Sequence, residues 1–255
     1  MTPSTALATQ SSNIPLPQDT PPHHFRTLCC SHCGHDIKIP IYCGDRFCPI
    51  CSQPRLRRVR RRLLWISAKI KPRPGYQFKH LTLTIRNRTA LDDMVAILTK
   101  HFRRLRQRKL WKRHVTGGAF VVEVTGNPGD WHAHIHTLIY SDFIPYAQLL
   151  KAWTSITSST GVWIERVSRA DLINHLARYL TKPLKPESVC EEINDALSST
   201  RLFQPFGDWH GISATYKEPH HPCPVCGHTS WLPLDIIYRQ GFGSAQEASI
   251  RAPPF

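Results

Sequence analysis

His132, His134 and His136 stand at every second position in WHAHIHTLIY, residues 131–140. Period 2 is the repeat of an extended strand, so the three imidazoles leave one face. The residues NPGD (127–130) between this stretch and GAFVVEVTG (118–126) read as a hairpin turn. Pairing Gly126 with Trp131 across that turn sets Glu123 opposite His134, and opposed residues share a face with Cβ atoms about 5 Å apart. A one-residue slip would turn Glu123 away. A carboxylate and two imidazoles converging on one point make a three-ligand metal site with positions left for substrate. His132 is a further donor candidate. The set holds no thiolate, so Mg²⁺, Mn²⁺ and Zn²⁺ are all compatible with it. A single histidine here would read as part of a solvated sheet face; three in alternation opposite a Glu argue for the metal.

A second group lies in LINHLARYLTKPLK, residues 172–185. Leu172, Leu176 and Leu180 mark one face of an amphipathic helix, with Tyr179 beside them. Lys182 follows at i+3, on the same side. A free tyrosine has a pKa of about 10 and is a poor nucleophile unless its phenolate is stabilised. A polarised phosphate and a nearby lysine would do that. Taken alone, the pair reads as a half-buried tyrosine with a snorkelling lysine.

The chain has nine cysteines. Cys30/Cys33 and Cys48/Cys51 are two C-x2-C pairs separated by 14 residues. That spacing predicts a zinc ribbon, with Cys29 and Cys43 as spare thiols able to substitute. HHPCPVCGH offers Cys223, Cys226 and His228, with His220 or His221, or a distant N-terminal thiol, to complete the set. The helix that follows the first cluster carries Arg55, Arg57, Arg58, Arg60, Arg61 and Arg62. With few acids nearby to balance them, these arginines predict phosphate contacts.

These groups need a scaffold. FKHLTLTIRN (78–87), 118–126, 131–140 and 161–167 alternate as strands; 90–113, 145–157, 169–182 and 187–199 read as helices. The order βαββαβα predicts an α+β domain, an antiparallel sheet with covering helices. Its segments are expected to be a disordered tail at 1–24, a zinc-ribbon-like module at 25–54, a basic helix at 55–72, the main domain at 73–210 and a C-terminal knuckle segment at 211–255. Lys and Arg number 33 against 18 Asp and Glu, a formal charge of +15. That excess favours a polyanion, with nucleic acid first. No apolar run reaches the roughly 20 residues of a membrane span and the N-terminus is not a signal peptide, so a soluble, cytoplasmic protein is expected.

HLTLTIRN, HAHIHTLIY and YLTK, in that order, resemble the three motifs of HUH endonucleases. The likeness is to the plasmid rolling-circle replication initiators, the Rep family 1 type, and covers roughly residues 43–207. The resemblance implies an RRM-like sheet and a bacterial or archaeal host. It implies His134 and His136 as ligands of Mg²⁺ or Mn²⁺, with Glu123 as third ligand resting equally on the register count. Tyr179 would attack a DNA phosphate and Lys182 would assist. Single-stranded and origin DNA would be the substrates. A host helicase and DNA polymerase would be partners, since no G-x-x-x-x-G-K-[ST] segment occurs in the sequence. His175 stands where some members carry a carboxylate or second tyrosine, so a single nucleophile is implied. A single-strand DNA transposase with the same chemistry, or a non-catalytic zinc-ribbon regulator, are the competing readings; the second leaves HAHIH and YLTK unexplained.

Overall fold

The computed structural model describes residues 25–41, 43, 45–171, 176, 187–217 and 222–234. The chain divides into two units, Met1–Cys43 with His221–Phe255, and Gly44–His220.

The larger unit is built on a five-stranded antiparallel sheet. Its strands are β3 (Gln77–Thr84), β4 (Val115–Asn127), β5 (Asp130–Ser141), β6 (Val162–Arg166) and β7 (Gln204–Gly207), in the order β6-β3-β5-β4-β7. Among the described residues, the helices of this unit are α1 (Pro49–Lys69), α2 (Leu91–Gln107), α3 (Lys109–His114), α4 (Tyr146–Thr157), α5 (Glu187–Leu197) and α6 (Asp208–Ala214). The expected antiparallel α+β architecture is thus observed. The helix expected at 90–113 is divided at Arg108 into α2 and α3, and the four-residue strand β7 is an addition the periodicity did not mark.

Alternation divides the sheet cleanly. Leu81 and Leu83 of β3, Phe120, Val122 and Val124 of β4, and Ala133, Ile135 and Ile139 of β5 share one face. That face is covered by Met94, Leu98, Phe102 and Leu105 of α2, Leu149 and Trp153 of α4 and Ile193 of α5. Each large apolar side chain buried here is worth about 1.5–3 kcal/mol relative to exposure. On the opposite face Phe78, Ala119, Val121, Leu138 and Tyr140 pack with Val59, Leu63 and Ile66 of α1 and with Ile70 just after it. The same face carries the histidines further along, where the apolar cover ends.

The β4–β5 hairpin turns at Pro128-Gly129, with Gly126 paired to Trp131 and Glu123 to His134. The register counted from the sequence therefore holds. Gly126 has φ +98°, and a Cβ there would meet the Asp130 carbonyl oxygen, so the turn requires glycine at that position.

The smaller unit is a three-stranded antiparallel sheet of β2 (Asp36–Pro40), β1 (Phe25–Cys30) and β8 (Trp231–Pro233), in that order. This corrects the expected segmentation. Cys30 pairs with Trp231 and Leu28 with Pro233, so the C-terminal knuckle joins the N-terminal one instead of standing apart. The basic helix is no separate segment either: it starts at Pro49, and its stripe Leu56, Val59, Leu63, Ile66 is buried in the larger unit.

Candidate active site and cysteine cluster

One face of the larger sheet gathers polar groups from four strands. Register aligns Thr82 with His136 and Thr84 with His134 on one side of β3, and Thr82 with Trp163 and His80 with Glu165 on the other. Glu123 and Thr125 complete the face from β4.

His136 is the hub. Its Nε2 lies 2.6 Å from Glu123 Oε2, and its Nδ1 lies 3.2 Å from the Thr82 hydroxyl. The ring is stacked between those of His80, 5.6 Å away, and His134, 5.7 Å away. His136 and Glu123 are 5% and 7% exposed, so this pair is buried. His134 turns its Nε2 to the Thr125 hydroxyl at 3.3 Å, and His132 bonds the Thr84 hydroxyl.

The donor set fits a divalent cation in kind: imidazole nitrogen and carboxylate oxygen, with no thiol. The closed pair is Glu123 with His136; His134 is aligned with them by ring stacking and held by a threonine. Among the described residues, only cysteines gather three donor atoms within 4.8 Å of one another.

His80, Thr82, Thr84, Thr125 and Glu165 were not singled out in the sequence. His80 Nδ1 lies 3.2 Å from Glu165 Oε1, so this buried imidazole links an acid on β6 to the His136 ring. Their signal was present: His80, Thr82 and Thr84 alternate at period 2 in HLTLT, as the histidines do on β5.

Tyr179 and Lys182 lie outside the described residues. Leu176, three positions before Tyr179, is fully buried with Val121, Leu138 and Phe78 on the histidine face. The arginines of α1 differ in their surroundings. Arg57 and Arg60 are exposed. Arg58 and Arg61 are half-buried. Arg55 donates to the carbonyls of Cys51, at 3.1 Å, and of Asp45, and so braces the start of the helix. Arg62 lies 5.8 Å over the Tyr216 ring.

The cysteine pairing differs from the expected ribbon. Cys30, Cys33, Cys223 and Cys226 bring their sulfurs within 4.8 Å of one another, with Cys30–Cys226 and Cys33–Cys223 both at 3.6 Å. A tetrahedral zinc with Zn–S bonds of about 2.3 Å needs sulfurs about 3.8 Å apart. The two turns are copies of one another, CSHCGH at 30–35 and CPVCGH at 223–228. In the first, Cys30 N–H donates to His35 O at 2.9 Å and Gly34 N–H to Cys30 O at 3.0 Å. In the second, Cys223 N–H donates to His228 O at 2.7 Å and Gly227 N–H to Cys223 O at 2.8 Å. Gly34 and Gly227 have φ +72° and +75°, the left-handed conformation such a turn demands.

Charge explains why four thiols here call for a cation. Backbone N–H donation from Cys33 holds the Cys30 thiol down at about 6, against the opposing effect of burial. The His228 N–H pulls Cys226 down as well, but burial and the neighbouring Cys33, Cys30 and Cys223 outweigh it and push it up to about 12. Once Cys30 ionises, Cys33 and Cys226 hold their protons until a metal compensates. His228, read as a ligand from its spacing, instead stacks its ring on His32 at 5.1 Å. Cys48 and Cys51, read as the partners of Cys30 and Cys33, are buried at the start of α1, where the Cys51 N–H reaches Cys48 Sγ at 3.5 Å. Cys29 stands on β1 outside the four-thiol group, and Cys43 is exposed.

Fold and site together define a class: an antiparallel sheet backed by helices on one face and presenting a histidine–carboxylate cluster on the other. Its relatives are replication proteins. Residues 35–148 match the family model described as "Replication protein". The chain is 33% identical over 103 residues to "Protein rep" of Streptococcus pneumoniae serotype 2 (strain D39 / NCTC 7466), covering 38% of this chain and 32% of that protein. It is 28% identical over 141 residues to "Protein rep" of Staphylococcus aureus, covering 49% of this chain and 62% of that protein. The chain thus spans less than two thirds of either relative. No solved structure matches it. The chain is thus similar over part of its length to replication proteins, and the span matched by the family model includes β3 and the histidine strand but ends before Tyr179. Among the described residues, no helix is long and apolar enough to cross a membrane.

Proposed function

We propose that this chain nicks and rejoins single-stranded origin DNA to initiate rolling-circle replication of a plasmid. The observation that carries the reading is the 2.6 Å contact of His136 with Glu123, in a row of imidazoles on the face where Leu176, three positions before Tyr179 in the sequence, is buried. The match to replication proteins supports it, as does the formal charge of +15.

Glu123, His134 and His136 would hold a divalent cation, which when bound supplies Lewis-acid stabilisation of charge on the non-bridging phosphate oxygens. Thr82 and His80 fix the orientation of the His136 ring, as partners around a metal ligand do. The Tyr179 phenolic oxygen attacks phosphorus and the bond from phosphorus to the 3′-oxygen breaks. The leaving 3′-oxygen gains a proton, and Lys182 balances the charge on the phenolate before attack. The product is a 5′-phosphotyrosyl link and a free 3′-hydroxyl able to prime a polymerase. Attack by a 3′-hydroxyl on that link reverses the step, so rejoining needs no nucleotide.

His134→Ala removes a half-buried donor at little cost in stability and should lower metal-dependent nicking at least 100-fold. His136→Ala should do the same, and in addition cost about 1–3 kcal/mol of stability, because it removes the 2.6 Å contact made to the buried Glu123 carboxylate. Nicking assays in Mn²⁺ or EDTA with parallel thermal melts check both; wild-type nicking that survives EDTA contradicts the metal role. His80→Ala should raise the Mn²⁺ concentration for half-maximal nicking about 10–100-fold while leaving DNA binding in EDTA unchanged. An unshifted Mn²⁺ titration would remove His80 from the account.

A further inference from the structure

Trp163 is 64% exposed. Its neighbours in β6 account for the core: Val162 is buried and Ile164 packs partly against the helix-covered face. Alternation therefore sends the indole out on the opposite face, which is the histidine face. Threonine or lysine would serve a merely solvated sheet edge, and a large exposed indole on an edge strand is an aggregation liability unless it binds something. Phe143, Tyr146 and Val225 are also exposed. They lie in the loop after β5, at the start of α4 and in the second knuckle, whereas Trp163 lies on the sheet face that holds the site.

The row Trp163–Thr82–His136 is continuous across three neighbouring strands. Adjacent strands are about 4.8 Å apart, so Trp163 stands roughly 10 Å from His136 along the row. That is the distance to the nucleotides flanking a phosphate held at Glu123 and His136. β6 is the outer strand of the sheet, so DNA leaving the site on this side passes over Trp163. An aromatic ring offers base stacking that any sequence can use, but only where the base faces are free, as they are in a single strand.

We propose that Trp163 is the stacking platform for a base of single-stranded DNA next to the scissile phosphate. The proposal rests on the nickase reading and extends it to how the enzyme selects unpaired DNA.

The test is fluorescence anisotropy in EDTA, so that binding is read without cleavage. The probes are a labelled mixed-sequence single-stranded oligodeoxynucleotide and its duplex, and the proteins are wild type, Trp163→Ala and Trp163→Phe. Trp163→Ala should raise Kd for the single strand about tenfold and leave the duplex Kd within about twofold. Trp163→Phe keeps a ring and should recover most of the loss. Single-strand binding by Trp163→Ala equal to wild type, or an equal loss on both probes, overturns the proposal. With the wild-type protein, a scan of 5-iodouracil through the oligonucleotide should give a photo-crosslink on the peptide containing Trp163; a crosslink at no position overturns it too. A wild-type protein that binds single strands through Trp163 but never nicks would defeat the nickase reading alone.

Discussion

Tyr179→Phe removes nicking and covalent attachment while DNA affinity stays within about twofold of wild type. The substitution deletes one oxygen, keeps the ring and leaves the charge of the chain unchanged. If that oxygen is the nucleophile, no neighbouring group replaces it and the rate falls by a factor on the order of 10⁴ or more. A divalent cation held by the histidines would still polarise the phosphate, so any residual cleavage would come from water and leave no protein on the DNA. Gel assays for the nick and for the protein–DNA adduct, run side by side with a binding titration, check this. A Phe variant that still forms the adduct would transfer the role to another tyrosine, such as Tyr140 or Tyr216. Tyr140 is a poor substitute, since it is buried and its hydroxyl accepts from Arg73 N–H at 2.9 Å.

Cys223→Ser has the second large effect, and it falls on a different part of the chain. Among its described residues the smaller unit has three short strands, and its buried set includes Cys30 and Cys223. So little apolar surface does not hold such a unit folded by itself. A four-thiolate zinc site contributes on the order of 10 kcal/mol to a module of this kind. Losing one ligand from Cys30, Cys33, Cys223 and Cys226 should therefore unfold β1, β2 and β8 together. Backbone amides of residues 25–40 should lose their protection in hydrogen exchange, and zinc per chain should fall. The larger sheet, with its own two apolar clusters, should keep its protection. Cys48→Ser is the contrast. Cys48 is the N-cap of α1 and its sulfur accepts the Cys51 N–H, a task serine performs as well or better. It should leave residues 25–40 protected. Loss of that protection in Cys48→Ser, and its retention in Cys223→Ser, would return the cysteines to the pairing expected from spacing alone.

Strands β3 to β6 of the main sheet were legible in the sequence, whereas the four-residue β7 was too short to show alternation. In β4 and β5 the alternation marks the faces and the Gly-rich turn fixes the register, so Glu123 could be set opposite His134 by counting. The cysteine pairing was not legible from spacing, because a C-x2-C pair does not specify its partner: Cys30/Cys33 can close with Cys48/Cys51 or with a pair some 190 residues away at no difference in local geometry. The shared turn C-x-x-C-G-H at 30–35 and 223–228 was the missed clue, since matched knuckles with a left-handed glycine form matched halves. Sequence reading also weighted the arginines of α1 by charge alone. Arg55 is spent on carbonyl groups, and the apolar stripe of the same helix fixes it to the sheet. His80 shows in HLTLT as one step of the strand alternation, and strand pairing is what brings it beside His136 and Glu165.

The central claim is that Tyr179 becomes covalently joined to DNA at the histidine face. Incubation of the full chain with 5′- and 3′-labelled single-stranded origin DNA in Mn²⁺, followed by nuclease trimming and peptide mass spectrometry, tests it directly. The account predicts a nucleotide mass on the peptide containing Tyr179, linked through a 5′-phosphate, in Mn²⁺ but not in EDTA, and absent from His136→Ala. An adduct on any other residue, a 3′-linked adduct, or cleavage with no adduct at all would contradict it.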